Sequence, residues 1–233
     1  MSDPIDRANP LSYRVTLAAL RLFCRTYVRS RVTGREHLPP QGVAAIVVTN
    51  HSSALDVLLI GHALDRPGHF LAKAEATRAP LLGPFMLSIG AIPTRRDGQD
   101  TEALRNTMAI LRSGGLIGLA PGGTRTRDGS LGPYDPGFIW LAERTGAVVV
   151  PGAVYGARRL MPRGARLPRP GSAWVRFAEP MDVAAVDRQL IAAAQGAAMS
   201  KRARLEAVAA HVRDRTAALL ADLEAEAGRR PGP

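Results

Sequence analysis

From residue 43 onward, short apolar runs alternate with segments of helical periodicity, and this alternation strongly limits the possible folds. The apolar runs predict six strands: Val43–Thr49, His69–Ala72, Ile89–Pro93, Leu116–Ala120, Ala147–Pro151 and Ala173–Ala178. Helical patterns lie between several of them, at Ala54–Ala63, Thr101–Arg112 and Gly137–Thr145. The sequence therefore predicts an α/β fold, a single domain with a mostly parallel central sheet flanked by helices.

The two ends of the chain differ in composition from its middle. A length of 233 residues suits one domain with a sizeable core. We expect an N-terminal amphipathic segment over residues 1–34 and the main domain over residues 35–199. An alanine-rich helix with a frayed tail is expected over residues 200–233.

The N-terminal segment predicts one amphipathic helix over residues 11–30. At about 100° per residue, one narrow arc holds four arginines: Arg14, Arg21, Arg25 and Arg29. Across from them lie Val15, Ala19, Leu20, Phe23 and Tyr27. Such a helix either docks on its own domain or lies in a membrane interface with its arginines among phosphates. Both interpretations can hold together if the helix bridges core and bilayer.

Charge points to an anionic partner. The 31 basic residues exceed the 20 acidic ones, so the formal net charge is +11. Residues 157–172 predict a loop with a basic surface, since they include five arginines and no acid. Nucleic acid, a membrane surface and a phosphorylated substrate all suit this charge. Only 5% of the chain is aromatic, which disfavours stacking on single-stranded nucleic acid.

The cellular compartment is indicated by three weaker features. Cys24 is the single cysteine, so no intrachain disulfide can form, as suits a reducing cytosol. No run approaches the roughly 18 apolar residues of a spanning helix. The first residues, MSDPIDRANP, carry two acids and do not resemble a secretory signal. We therefore expect a cytoplasmic protein that does not cross the membrane.

A histidine and an aspartate follow the first predicted strand in the segment NHSSALD, residues 50–56. Ser53 and Asp56 fit a capping pattern in which a serine begins a helix and an acid reaches back. Capping does not account for His51, which lies at the carboxyl end of a strand, where open α/β sheets bind ligands. Asp56 could also hold one ring nitrogen of His51 and leave the other as a base. Both interpretations of Asp56 stay open.

Three further stretches accompany this pair. GAIPTRRDG (90–98) and LAPGGTRTRDG (119–129) combine turn glycines with arginines, which suit phosphate oxygens. Either stretch could equally be an ordinary turn with solvated arginines. VVVPGAVYG (148–156) predicts a buried strand ended by Pro151. The lysine of a P-loop is missing, and the histidines and cysteine lack metal-ligand spacing.

Taken in order, these four blocks resemble the glycerolipid acyltransferase family, and the resemblance covers roughly residues 35–180. The family's first block is histidine, then four residues, then aspartate, usually with asparagine before the histidine, and it stands here as NHSSALD. Its second block places an arginine six positions after a glycine, which selects Arg96. Its third block, usually FPEGTRS, is APGGTRT (120–126), so Ala120 and Gly122 depart from the pattern. Its apolar-proline fourth block matches Val149-Val150-Pro151.

The resemblance implies transfer of a fatty acyl group from an acyl-CoA or acyl carrier protein thioester to a lysophospholipid hydroxyl. The implied acceptor is 1-acyl-glycerol-3-phosphate, and the product is phosphatidic acid. His51 is the implied general base, and Asp56 orients it. The implied phosphate-binding residues are Arg96, Arg125, Thr124, Gly123 and Arg95.

No cofactor or metal is implied beyond the thioester co-substrate. The expected partners are the thioester donor, the lysophospholipid and an anionic membrane surface at the inner face of the cell membrane, with no nucleic acid. Two alternatives remain. The protein could acylate another polar lipid, a glycolipid or a small natural product, or it could be an inactive relative that binds lipid.

Overall fold

The computed structural model of the chain describes residues 10–80, 82–95, 100–123, 130–193 and 199–229. In these ranges seven strands form a sheet in the order β1-β7-β6-β2-β5-β3-β4. The strands are β1 (Arg31–Thr33), β2 (Ala45–Val48), β3 (His69–Lys73), β4 (Ala91–Thr94), β5 (Leu116–Leu119), β6 (Val148–Tyr155) and β7 (Trp174–Phe177). Every neighbouring pair is parallel except β6 and β7. The sequence-based fold class, a single α/β domain with a mostly parallel sheet, is confirmed.

Nine α-helices and a short 3₁₀ turn, Arg35–His37, lie in the described ranges. The helices are α1 (Pro10–Thr26), α2 (Leu55–Ala63), α3 (Ala74–Thr77), α4 (Leu82–Ser88), α5 (Thr101–Arg112), α6 (Gly137–Thr145), α7 (Ala157–Leu160), α8 (Val183–Ala193) and α9 (Lys201–Arg229). The predicted helices at both ends and between the strands are present with small shifts at their ends. Helices α3, α4, α7 and α8 were not predicted.

The central strand β2 explains why the middle of the chain is so apolar. All four of its side chains are fully buried, because helices cover both faces of the sheet. Ala45 and Val47 pack with α1, α2 and α7, whereas Ile46 and Val48 pack with α5, α6, α8 and α9. The domain therefore has two helical layers, and α2 begins just after β2 on the first of them.

Strand β6 corrects one prediction, because Pro151 does not end it. Residues 148–151 pair in parallel with β2, and the strand continues to Tyr155 by pairing antiparallel with β7. Proline has no N–H to donate to a ladder, and Pro151 lies at the point where the strand changes partners. The second half of β6 therefore runs beyond the end of β2, alongside the turn that follows β2.

Helix α1 is docked on the domain. Leu20, Cys24 and Val28 are buried in the same cluster as α2, and Nη2 of Arg21 donates to the carbonyl of Leu64 at 3.1 Å. Val15 and Leu22 lie exposed on its other side, so its apolar side chains are divided between core and surface. No helix in the described ranges is long and apolar enough to cross a membrane.

Candidate active site

Two of the motif turns leave the sheet side by side. Strands β2 and β5 are neighbours, and their ladder extends one step further through the N–H of Thr49, which donates to Leu119 at 3.0 Å. The chain then turns into Asn50 and His51 on one side and into residues 120–123 on the other. Parallel pairing therefore brings the first and third motifs to the same carboxyl edge, where α/β sheets bind ligands.

His51 and Asp56 form a contact at this edge. Nδ1 of His51 lies 3.2 Å from Oδ2 of Asp56. A carboxylate oxygen accepts, so Nδ1 carries the donated proton and Nε2 is left as the nitrogen that can take another. The side chain of Asp56 is 3% exposed and that of His51 is 26% exposed, so the imidazole reaches solvent while its partner is buried.

Backbone N–H groups hold the Asp56 carboxylate in place. Oδ2 accepts from the N–H groups of Ser52 and Ser53, each at 2.7 Å, and Asp56 belongs to the first turn of α2. These donors and the positive end of the helix offset the cost of burying a carboxylate. The oxygen that contacts the imidazole is therefore fixed before any substrate arrives.

The contacts of Asp56 are compatible with both interpretations. Its carboxylate reaches back to the N–H of Ser53, as capping predicts, and the same oxygen contacts His51. The serine half of the cap differs from the prediction, because the Ser53 hydroxyl accepts from the N–H of Leu55 at 3.1 Å and the helix begins at Leu55. Capping and orientation of the imidazole are thus two results of one geometry.

Asn50 fastens the His51 turn to the extended half of β6. Its side-chain amide donates to the carbonyl of Val154 at 2.9 Å and accepts from the N–H of Val154 at 2.8 Å. Asn50 is buried, so these two bonds replace a missing rung between the end of β2 and β6. The sequence analysis predicted no role for Asn50 beyond its place in the motif. A lone amide after a buried strand was the available signal, but its partner lies 104 residues away.

Gly152 in the fourth motif allows β6 to pack closely against Thr49, at the end of β2. A Cβ at Gly152 would lie 3.2 Å from Cγ2 of Thr49 and 3.0 Å from Cδ1 of Phe177. Both distances are tighter than ordinary contact, so a side chain here would push β6 away from the residue that precedes Asn50. The fourth motif has no reactive side chain, but its glycine sets the distance between β6 and the chain just before the His51 turn.

The predicted phosphate-binding residues are described only in part. Arg96, Thr124 and Arg125 lie outside the described residues, and their roles stay predictions. Gly123 follows β5 with a φ of 76°, a left-handed conformation that favours glycine, and its N–H donates to the carbonyl of Ala120 at 3.0 Å. That N–H closes the turn in this structure.

Arg95 lies further along the sheet edge. It is exposed and follows β4, which is separated from β2 by β5 and β3, so their backbones are about 14 Å apart at about 4.8 Å per strand. Its N–H donates to Asp100 at 2.8 Å, and Asp100 also accepts from the N–H of Ala103. The bonds from Ala103 and Arg95 lower the pKa of the Asp100 carboxyl.

The single cysteine of the chain, Cys24, is buried in the core. Burial raises the pKa of the Cys24 thiol to about 12, so it is a poor nucleophile in the core beneath α1. Among the residues that the structure describes, no group of three histidine, cysteine, aspartate or glutamate side chains is placed to hold a metal ion.

Comparison with known proteins identifies the family. An α/β domain with a histidine–aspartate pair at its carboxyl edge can remove a proton from a bound nucleophile. The family model described as Acyltransferase matches residues 29–155, more than half of the chain. The protein belongs to this acyltransferase family.

Individual relatives give further detail. The chloroplastic 1-acyl-sn-glycerol-3-phosphate acyltransferase of Arabidopsis thaliana is 31% identical over 140 residues, which are 59% of this chain and 39% of that protein. The 1-acyl-sn-glycerol-3-phosphate acyltransferase of Bacillus subtilis is 28% identical over 145 residues, 62% of this chain and 71% of that protein. Three plant and algal relatives are each matched over only about two fifths of their length.

A solved structure shares the fold. It is the crystal structure of the 1-acyl-sn-glycerophosphate acyltransferase PlsC from Thermotoga maritima, with a TM-score of 0.67 and 24% sequence identity. The match covers 89% of this chain and 80% of that one.

Proposed function

We propose that the protein transfers a fatty acyl group from an acyl thioester to the free hydroxyl of 1-acyl-glycerol-3-phosphate, giving phosphatidic acid. The observation that carries this proposal is the contact between His51 and the buried Asp56 at the sheet edge of an acyltransferase-family chain. Relatives named as 1-acyl-sn-glycerol-3-phosphate acyltransferases support the choice of acceptor.

His51 acts as the general base in the proposed mechanism. Nε2 takes the proton of the acceptor hydroxyl as the hydroxyl oxygen attacks the thioester carbonyl carbon. Asp56, at Nδ1, keeps the imidazole in the required tautomer and stabilises the imidazolium that forms. The tetrahedral intermediate collapses by breaking the carbon–sulfur bond, and the departing thiolate recovers the proton from Nε2.

Two N–H groups of the His51 turn are already engaged and are not free to stabilise the oxyanion of the intermediate. The N–H groups of Ser52 and Ser53 already donate to Asp56, and the N–H of Gly123 donates to Ala120. Donors for an oxyanion must be free and aimed at it. The remaining candidates are other backbone N–H groups near His51 and in the 120–123 turn.

Acceptor binding is proposed to depend on positive charge along the same edge. Arg96 and Arg125, with Thr124, Gly123 and Arg95, would hold the phosphate and so place the hydroxyl beside His51. Orientation of this kind is worth several kcal/mol in favourable cases. The donor is an acyl-CoA or an acyl carrier protein thioester, both of which carry the same reacting group.

The place of action is proposed to be an anionic membrane at the inner face of the cell membrane, approached from the cytoplasm. A lysophospholipid acceptor resides in a bilayer, and a net charge of +11 favours an anionic lipid surface.

A second acceptor class is favoured by one observation. Ala120 and Gly122 replace larger residues of the family pattern, and among the described residues a Cβ at Gly122 would approach only Cε1 of Tyr134, at 3.9 Å. Smaller residues at these two positions suit a polar lipid with a larger headgroup.

The test is acyl transfer by the purified protein from a labelled acyl thioester to 1-acyl-glycerol-3-phosphate in detergent, with the product identified by mass. We expect His51→Ala to lower turnover by about 10²–10⁴-fold, because general-base catalysis contributes a factor of that size. Asp56→Asn should lose less activity, since an amide oxygen can still accept from Nδ1.

The matched control is His211→Ala, which removes an exposed histidine of α9 and should keep full activity. Near-normal turnover by a folded His51→Ala protein would contradict the mechanism. Absence of transfer by the wild-type protein to every lipid acceptor tried, with retained lipid binding, would instead identify an inactive lipid-binding relative.

A further inference from the structure

The loop after α7 combines strong positive charge with an exposed apolar side chain. We name residues 161–172 the arginine loop. It carries Arg163, Arg166 and Arg169, all exposed, and no acid. Leu167 lies between them with 79% of its surface exposed. Leu167 therefore contributes little to packing within the domain, and burying its side chain against a partner would be favourable.

The base of the arginine loop is held by backbone hydrogen bonds. The N–H of Arg169 donates to the carbonyl of Leu160 at 2.8 Å, and Leu160 is buried in the core with α2. The N–H of Gly171 donates to Tyr27 at 3.3 Å, and the Tyr27 hydroxyl donates to Pro168 at 3.2 Å. Little ordering is therefore required before the loop presents Leu167 to a partner.

The same loop is attached to the candidate active site. The Ser53 hydroxyl donates to the carbonyl of Met161 at 2.7 Å. Ser53 also supplies an N–H to Asp56, the residue that contacts His51. Two hydrogen bonds through Ser53 thus connect the start of the arginine loop to the carboxylate behind the imidazole.

We propose that the arginine loop docks on an anionic lipid bilayer, with Leu167 inserted at the headgroup level and its neighbouring arginines on lipid phosphates. An apolar side chain surrounded by cations has the pattern of an interfacial anchor. An acidic protein surface would satisfy the arginines, but it would leave the exposed leucine without a lipid-like environment. Docking there brings the His51 turn to the membrane surface, where a lysophospholipid resides.

Helix α1 supports this orientation of the molecule. It packs on the same face of the sheet as α2 and α7, and Tyr27 joins its C-terminal end to the loop. Its outer side carries the exposed Val15 and Leu22 beside Arg14 and Arg25. The inference rests on the proposed function in one respect, that the acceptor is a bilayer lipid.

The experiment measures binding of the 233-residue chain to vesicles by co-sedimentation. One set of vesicles contains phosphatidylcholine with about a third phosphatidylglycerol, and the other set contains phosphatidylcholine alone. The loop variants are Leu167→Ser and the double variant Arg163→Gln/Arg166→Gln. The matched control, Arg188→Gln/Arg215→Gln, removes two exposed arginines from α8 and α9, which lie on the opposite face of the sheet.

On anionic vesicles at low salt, each loop arginine should contribute about fivefold in affinity, so the double variant should bind about 25-fold more weakly. Leu167→Ser should lose about tenfold, since burial of a leucine is favourable by a comparable factor. The control should bind within about twofold of wild type, because α8 and α9 face away from the proposed membrane surface.

Wild-type affinity of both loop variants for anionic vesicles would overturn the proposal. Equal weakening by the control variant would also overturn it, since binding would then depend on net charge alone. Unchanged vesicle binding with a selective loss of transfer from a protein-borne thioester, but not from acyl-CoA, would assign the loop to an acidic carrier instead. Transfer to detergent-dispersed acceptor tests the proposed function separately, because it requires no vesicle binding.

Discussion

At the scale of single residues, one carboxylate serves both the fold and the proposed chemistry. Asp56 accepts two backbone N–H groups at the start of α2 and also contacts the imidazole of His51. A buried carboxylate needs such donors, whatever its function. The sequence could therefore not decide between a cap and an orienting residue, because the same short spacing produces both.

Asn50 allows a prediction that separates an effect on the placement of His51 from an effect on the stability of the fold. Asn50→Ala leaves the N–H and carbonyl of Val154 without their partners, so the free energy of unfolding should fall by about 2–4 kcal/mol. The His51 turn loses its attachment to β6. We expect kcat to fall at least about tenfold with the acceptor KM nearly unchanged, measured by steady-state kinetics well below the unfolding temperature.

Thr107→Ala is the matched control for Asn50. Thr107 is also buried, and its hydroxyl donates to the carbonyl of Ala103 at 2.8 Å within α5, away from the His51 turn. This variant should lose stability but keep kcat. If Asn50→Ala lowers kcat no more than Thr107→Ala does, the asparagine has only a structural role.

At the scale of elements, the packing of α1 on α2 encloses a histidine. His62, in the last turn of α2, is 2% exposed, and Nδ1 has no hydrogen-bond partner among the described residues. Burial lowers its pKa from 6.5 to about 4, with further lowering from Arg35, Arg21 and Arg25. The folded protein therefore keeps His62 neutral at pH values where the unfolded chain protonates it.

This depressed pKa predicts a loss of stability in acid. Above about pH 6.5, His62 is neutral in both the folded and the unfolded state, so its depressed pKa does not lower the free energy of unfolding. As pH falls from 6.5 to about 4, the unfolded state gains a proton that the native state excludes, so the free energy of unfolding decreases. At about 1.4 kcal/mol per pKa unit, the loss is at most about 3 kcal/mol.

Urea unfolding at pH 7, 6, 5 and 4.5 measures this effect. His62→Leu keeps an apolar group of similar size and removes the titrating nitrogen, so its stability should vary less over this interval than that of wild type. The difference between the two proteins isolates His62 from carboxyl groups that titrate nearby. Parallel pH dependences would show that His62 does not control acid stability.

The local sequence pattern was enough to predict those elements whose burial shows in their own residues. The β2 segment was recognisable because burial on both faces gives a continuous apolar run. β1 was missed because it is three residues long at the sheet edge, with one partly buried side chain. The extension of β6 past Pro151 depends on pairing with β7, which a local pattern does not contain.

At the scale of the whole molecule, the proposed site is assembled from turns that the parallel sheet brings together. The His51 turn and the 120–123 turn were each visible in the sequence, and their order resembled a family arrangement. Their adjacency required the β2–β5 ladder, and the support of His51 required a bond across 104 residues between Asn50 and Val154. Such long-range contacts are properties of the folded chain, so single motifs could not reveal them.

Selection of the acceptor is expected to depend on both turns, and substitution of Gly122 tests this expectation. Among the residues that the structure describes, a Cβ at Gly122 meets only Cε1 of Tyr134, at the ordinary contact distance of 3.9 Å, so a side chain can be added without displacing their backbone. Gly122→Glu restores the residue usual in the family, and adds volume and negative charge beside the 120–123 turn. Added volume in an occupied site costs about 1–3 kcal/mol.

We therefore expect Gly122→Glu to lower kcat/KM for a lysophospholipid with a large headgroup by about tenfold. The kcat/KM for 1-acyl-glycerol-3-phosphate should stay equal or increase. The measurement is kcat/KM for both acceptors in detergent, with Gly122→Ala as the control for loss of glycine at this position. Because only the glutamate variant adds bulk and charge, the ratio between acceptors should change in it and not in the alanine variant. An unchanged ratio in Gly122→Glu would show that this position does not select the acceptor, and the preference for small lysophosphatidate would then have to depend on the arginines along the sheet edge.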